Sequence, residues 1–184
     1  MYKGVFSIYA RYWNAYGGFS ALVRSFYLHA ALVITLICAN IWINPGWWDQ
    51  VTSILPNVLG FTLGGFAIFI SFGDDKFRQL LAEPETTEDD TPTAYVKLCS
   101  TFVHFIIIQI VALLVAIIAK AVHFPWESAP DLFKLALPWL NGVAGLLGYA
   151  LFVYALTSAL AATMHVFRIA SMYESYQRAK QDEG

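Results

Sequence analysis

The chain has 184 residues, of which 58% are apolar, 16% aromatic and only 13% charged. A domain bathed in water usually carries about 25% charged residues, so this composition excludes an ordinary soluble domain and fits a chain whose solvent is largely lipid. The net charge of −2 decides nothing by itself, because the information lies in where the charges fall.

Residues 1–22 begin MYKGVFSIYARYWNAYGG, in which Phe6, Tyr9, Trp13 and Tyr16 recur at helical spacing while Lys3 and Arg11 lie among polar neighbours. This predicts an amphipathic helix, either lying in the membrane interface or packed on the end of a bundle, with a hinge at Gly17 and Gly18. Its mixture of basic and aromatic residues reads as contact with a lipid bilayer, and no nucleic-acid partner is expected. No secretory signal is expected before the first long apolar run.

Residues 23–72 form the first predicted transmembrane hairpin, with spans at about 25–44 and 51–72, neither containing a charge. A span needs about 20 mostly apolar residues. His29 and Asn40 fall on one face of the first span, and Asn44 continues it. Residues 44–50, NPGWWDQ, read as a tight turn with Trp47 and Trp48 at headgroup level. The second span holds Gly60, Gly64 and Gly65, with Ser53, Asn57, Gly60 and Gly64 on a single stripe. Glycine weakens a helix in water by roughly 1 kcal/mol relative to alanine. In lipid, where apolarity does not drive helices together, small residues instead permit close backbone approach. The stripe predicts either packing within one subunit, or an oligomer interface or pore lining.

Residues 73–97 are the one sizeable polar loop. Its first part continues as a short amphipathic helix. Glu83, Glu85, Glu88, Asp89 and Asp90 then make an acidic strip, read either as a solvated linker or as the docking strip of a soluble cytoplasmic partner.

Residues 98–167 form the second hairpin, with spans at about 98–123 and 137–167. The third span carries His104, Gln109, the small residues Ala112, Ala116 and Ala119, and Lys120 near its end. Residues 125–134 form its outer turn. The fourth span would be about 46 Å long. Asn141, Gly145 and Gly148 share one of its faces, and His165 lies near its end. The tail, 168–184, reads as helical, with Glu174 and Arg178 at i,i+4 spacing. Cys38 and Cys99 are expected at different depths and are read as unpaired thiols.

With the N-terminus inside, Lys3, Arg11, Arg24, Lys76, Arg78, Lys97, Arg168, Arg178 and Lys180 are internal and only Lys120 and Lys134 external. Basic residues collect on the cytoplasmic side, so both termini are expected there, in the inner membrane of a bacterium. The sequence thus predicts an all-α integral membrane four-helix bundle of four transmembrane helices, with an N-terminal interfacial amphipathic helix.

The chain contains no GxSxG, HExxH, CxxC, P-loop or GxGxxG motif, and no acid lies within a span, so no enzyme activity is expected. The leading expectation is a small homo-oligomeric, channel-like or membrane-perturbing protein that receives a signal on its cytoplasmic side. Asn57, Gly60, Gly64, Gly65, Asn141, Gly145 and Gly148 would form the pore or helix interface. The alternative is a non-conducting anchor or sensor that recruits a soluble partner, as in bacterial stress or defence systems. His29, Asn40 and Gln109 are the other polar groups expected inside the membrane. A third reading makes His29, His104 and His165 ligands of haem or zinc, although each histidine is alone on its helix; the leading reading needs no cofactor.

Overall fold

The computed structural model describes residues 2–73, 75–83, 91–123 and 131–182. Among them the regular structure is entirely helical: α1 (Tyr2–Tyr16), α2 (Gly18–Val23), α3 (Phe26–Ile37), α4 (Ala39–Trp42), α5 (Trp47–Ser71), α6 (Asp75–Ala82), α7 (Ala94–Val122) and α8 (Asp131–Asp182). Three helices are long and apolar enough to cross a membrane: α5, α7 and the Leu137–Asp182 part of α8. The chain therefore has the make-up of an integral membrane protein. The acidic residues Glu85, Glu88, Asp89 and Asp90, and most of the expected outer turn at 125–134, lie outside the described residues.

The first expected span departs from a single rod. α3 has 12 residues and stops at Cys38, whose backbone (φ −84°, ψ 18°) leaves the helical region before α4 resumes. The indole Nε1 of Trp42 donates to the Thr35 carbonyl at 2.8 Å. It thereby satisfies one of the acceptors that a helix end leaves open. The turn expected at 44–50 is also shorter than the sequence suggests, because α5 starts at Trp47. Both tryptophans expected as headgroup anchors are covered, Trp47 being 5% and Trp48 9% exposed. At the far end, α5 closes at Gly73, whose φ of +84° is a conformation that glycine adopts without strain. A Cβ there would lie 2.7 Å from the Phe77 ring. The tail is no separate element, since α8 continues through it for 52 residues, about 78 Å of helix.

Packing divides the chain into two compact units. The first comprises Met1–Arg24, Phe61–Ile106 and Leu160–Gly184. Its centre is aromatic: Phe102 lies against Phe66 and Phe69, both with ring centroids at 5.5 Å, and Phe69 continues to Tyr95 at 5.9 Å. Offset and edge-on ring pairs of this kind add to the burial of large apolar area. α6 joins this unit through Phe77, which meets Tyr173 at 5.1 Å and Tyr176 at 5.6 Å on α8. Phe77 and Leu81 are buried while Asp75, Lys76 and Gln79 are exposed, the one-sided burial of an amphipathic helix.

The second unit comprises Ser25–Gly60 and Ile107–Ala159. Val51, Leu55, Ala112, Ala116, Phe152 and Ala155 are among its most deeply buried apolar residues. Thr157 Oγ1 donates to the Tyr27 carbonyl at 3.1 Å, and Tyr149 donates to Gln50 Oε1 at 3.2 Å. Lys120 pairs with Asp49 at 2.8 Å, so the cation near the end of α7 has a carboxylate partner on α5.

Candidate functional site

The glycines of α5 and α8 meet different surroundings. On α8, a Cβ at Gly145 would collide with the Trp42 carbonyl, and one at Gly148 with the Trp47 ring. Both glycines are buried and serve close packing inside the second unit. On α5, a Cβ at Gly60, Gly64 or Gly65 would meet nothing within 4 Å. Asn57, Gly60 and Gly64 are exposed, as are the neighbouring Phe61 and Ile68. Among the described residues the α5 glycines thus lack the close intrachain neighbour that Gly145 and Gly148 have. The spacing carried the close-approach signal, but a single helix sequence does not say which neighbour comes close. Only 17% of the most apolar stretch of α5 is buried, against 44% for α8, so α5 is the candidate span with most surface left to cover.

A second cluster forms in the first unit around His104, which is 2% exposed. The rings of Tyr16 and His104 stack at 3.9 Å with 17° between planes, and Trp13 and Phe105 approach at 6.4 and 6.3 Å. The Tyr12 hydroxyl lies 2.7 Å from His104 Nδ1, and donates to it when that nitrogen is the unprotonated one. Burial, and then the neighbouring Tyr16 and Tyr9, push the Tyr12 phenol up to about 12, so it stays protonated. The C-terminal half of α1 is thus fastened to α7 by a buried imidazole, while its N-terminal half, 3–11, is exposed. The sequence reading took Tyr9, Trp13 and Tyr16 as the face of α1 and missed Tyr12. The i,i+4 spacing of Tyr12 and Tyr16 is the signal that marks it.

His165 also belongs to the first unit, at 6.0 Å from the Phe105 ring, and its Nδ1 is buried with no hydrogen-bond partner among the described residues. His29 belongs to the second unit and is exposed, as is Asn40; Gln109 is fully buried there. Among the described residues no three His, Cys, Asp or Glu side chains converge as a metal site would require. Glu83, the one described member of the acidic strip, is exposed just beyond α6. Cys38 and Cys99 are half-buried free thiols. Asn141 is exposed on α8.

The second unit also contains an open cleft of about 690 Å³. Trp42, Trp47, Trp48 and Pro138 supply apolar wall, and Asn44, Asn141 and His123 supply polar groups. His123 lies over Trp48 with ring centroids at 4.9 Å. The large apolar side chains Leu137, Trp139, Leu140 and Val143 are exposed on the same stretch of α8.

Comparison with protein-family models, with curated proteins and with solved structures finds no match to this chain. Its class, helical with three helices able to span a membrane among the described residues, therefore rests on its own sequence and structure.

Proposed function

We propose that the chain is a four-span integral membrane protein that assembles with copies of itself through α5 and works as a channel-like or membrane-perturbing oligomer. In this reading α3 and α4 supply the remaining span, and both termini face the cytoplasm of a bacterial cell. The open glycine face of α5 carries the proposal. A glycine facing lipid tails gains nothing over leucine and costs helix propensity, roughly 1 kcal/mol each relative to alanine. It gains when a second backbone comes close. Gly145 and Gly148 already have such a neighbour within the chain, and Gly60, Gly64 and Gly65 do not. Asn57, exposed on α5, adds an amide able to pair across the contact.

Oxidative cross-linking in native membranes tests the assembly. With Cys38 and Cys99 replaced by alanine, Gly64→Cys should give a disulfide-linked dimer, while Leu114→Cys, exposed on α7, should not. A Gly64→Cys protein that stays monomeric overturns the interface. Planar-bilayer recording tests conduction: stepwise currents altered by Gly64→Leu support it, and silent bilayers with an intact cross-link rule it out.

One observation favours the second reading, a non-conducting anchor for a soluble partner. α6 is fixed to the tail of α8 through Phe77, Tyr173 and Tyr176, and exposes Asp75, Lys76 and Gln79 beside Glu83. That makes a built polar surface on the helix that precedes the acidic strip in the sequence. Deleting 83–94 should abolish co-purification of the partner; a partner retained by the deleted protein removes this reading.

A further inference from the structure

The cleft of the second unit plays no part in self-association through α5 as proposed above. Its volume of about 690 Å³ lies within the roughly 300–1,000 Å³ of small-molecule sites, which are mostly apolar with a few convergent polar groups. Its walls have that division: three indoles and a proline on the apolar side, two amides and an imidazole on the polar side.

Asn44 and Asn141 carry amides that both donate and accept, Asn44 Nδ2 already giving one bond to the Asn40 carbonyl at 2.8 Å, and His123 carries a ring N–H. No carboxylate is among the described lining residues. The nearest acid in sequence, Asp49, is engaged by Lys120 at 2.8 Å. Such a lining suits a polar head group able to exchange hydrogen bonds with amides and an imidazole, joined to an apolar body. Leu137, Leu140 and Val143, exposed along the same stretch of α8, are what a bilayer would wet beside the opening. A bilayer phospholipid, with a phosphate head and acyl chains, is the amphipathic molecule of this kind that an embedded chain would meet.

We infer that the cleft bounded by Trp42, Trp47, Trp48, Asn44, Asn141 and His123 is a binding site for one bilayer phospholipid, its phosphate held by the amide and imidazole donors and an acyl chain laid against the indoles. The inference rests on the membrane-protein part of the proposed function and is independent of whether the protein conducts.

Gly142 gives the means to test it. It lines the cleft, and a Cβ there meets nothing within 4 Å, so the first atom of a larger side chain is accommodated and Gly142→Phe should occupy part of the cleft. Native mass spectrometry of the detergent-purified protein, incubated with palmitoyl-oleoyl phosphatidylcholine, the matching phosphatidylglycerol or palmitoyl-oleoyl glycerol, reads the bound lipid directly. Both phospholipids should be retained at one per chain, and the glycerol lipid, which lacks the phosphate, should bind about tenfold less. Gly142→Phe should reduce retention of both phospholipids to a similar degree with its melting temperature unchanged. His123→Leu with Asn141→Leu, both at exposed positions, gives the same reading should Gly142→Phe fail to fold. Equal retention by these variants, or equal retention of the glycerol lipid, overturns the inference. Liposome flotation of the wild type separates that failure from a failure of the membrane reading, since a chain that is no membrane protein does not float.

Discussion

α5 and α8 carry small residues at comparable spacing, and the structure uses them differently. Gly145 and Gly148 lie against Trp42 and Trp47, which occupy the space that side chains would need. Gly60, Gly64 and Gly65 face open space, beside Asn57 and Phe61. The first pair settles how this chain folds. The second set meets no packed neighbour among the described residues, and that openness is the observation behind the proposed self-association. Spacing of small residues reports that a backbone can come close; only the assembled neighbours tell whether that backbone belongs to the same chain.

The comparison breaks most clearly under enlargement. Gly148→Leu should destabilise the folded chain by about 3 kcal/mol, since the ring it strikes belongs to a buried tryptophan, while Gly64→Leu should change it by less than about 0.5 kcal/mol. Thermal melting followed by tryptophan fluorescence in detergent measures both, and cross-linking through Asn57→Cys placed in each variant should show the opposite order of damage. Equal melting losses for the two variants would mean that the α5 glycines are packed after all.

A smaller effect separates packed from open surface in the first unit. Tyr12→Phe removes the hydroxyl from His104 Nδ1 and should loosen α1 by about 1 kcal/mol, read as faster tryptic cutting at Arg11. The Asp49–Lys120 pair is the open counterpart, both side chains being more than half exposed (63% and 60%). Asp49→Asn should cost less than about 1 kcal/mol in the same melting assay, and less still in high salt.

The smallest effect is on pH. The Tyr12 phenol, ordinarily near 10, is raised to about 12 by burial in the folded chain. A raised phenol favours folding while the group is neutral in both states. That contribution is complete below pH 10 and declines as pH rises towards 12. Trp13 fluorescence should therefore be flat to pH 10 and then report release of α1, and the step should vanish in Tyr12→Phe.

The three long spans were legible because lipid imposes a simple rule, about 20 residues without charge, which α5, α7 and α8 each satisfy. Details set by side-chain contacts were not. Nothing in ICANIW announces a break at Cys38, since it holds neither glycine nor proline, and the break is closed by the Trp42 indole on the Thr35 carbonyl. Trp47 and Trp48 read as anchors because tryptophan is common at headgroup level, yet Trp47 is seated against Gly148, about 100 residues later, and Trp48 against His123. Tyr12 was passed over because it lies one position away from the stripe drawn through Tyr9, Trp13 and Tyr16. The candidate-site residues divide in the same way: Gly64 and its neighbours were legible by type, and which of them stay uncovered was not.

The break at Cys38 has a consequence for the surrounding lipid. α3 rises only about 18 Å over its 12 residues, against a hydrocarbon layer of roughly 30 Å. In the proposed four-span reading α3 alone is therefore too short to cross, and α4 has to complete the passage beyond the break. A span assembled in this way should make the protein's stability depend on the acyl chain length of its host membrane.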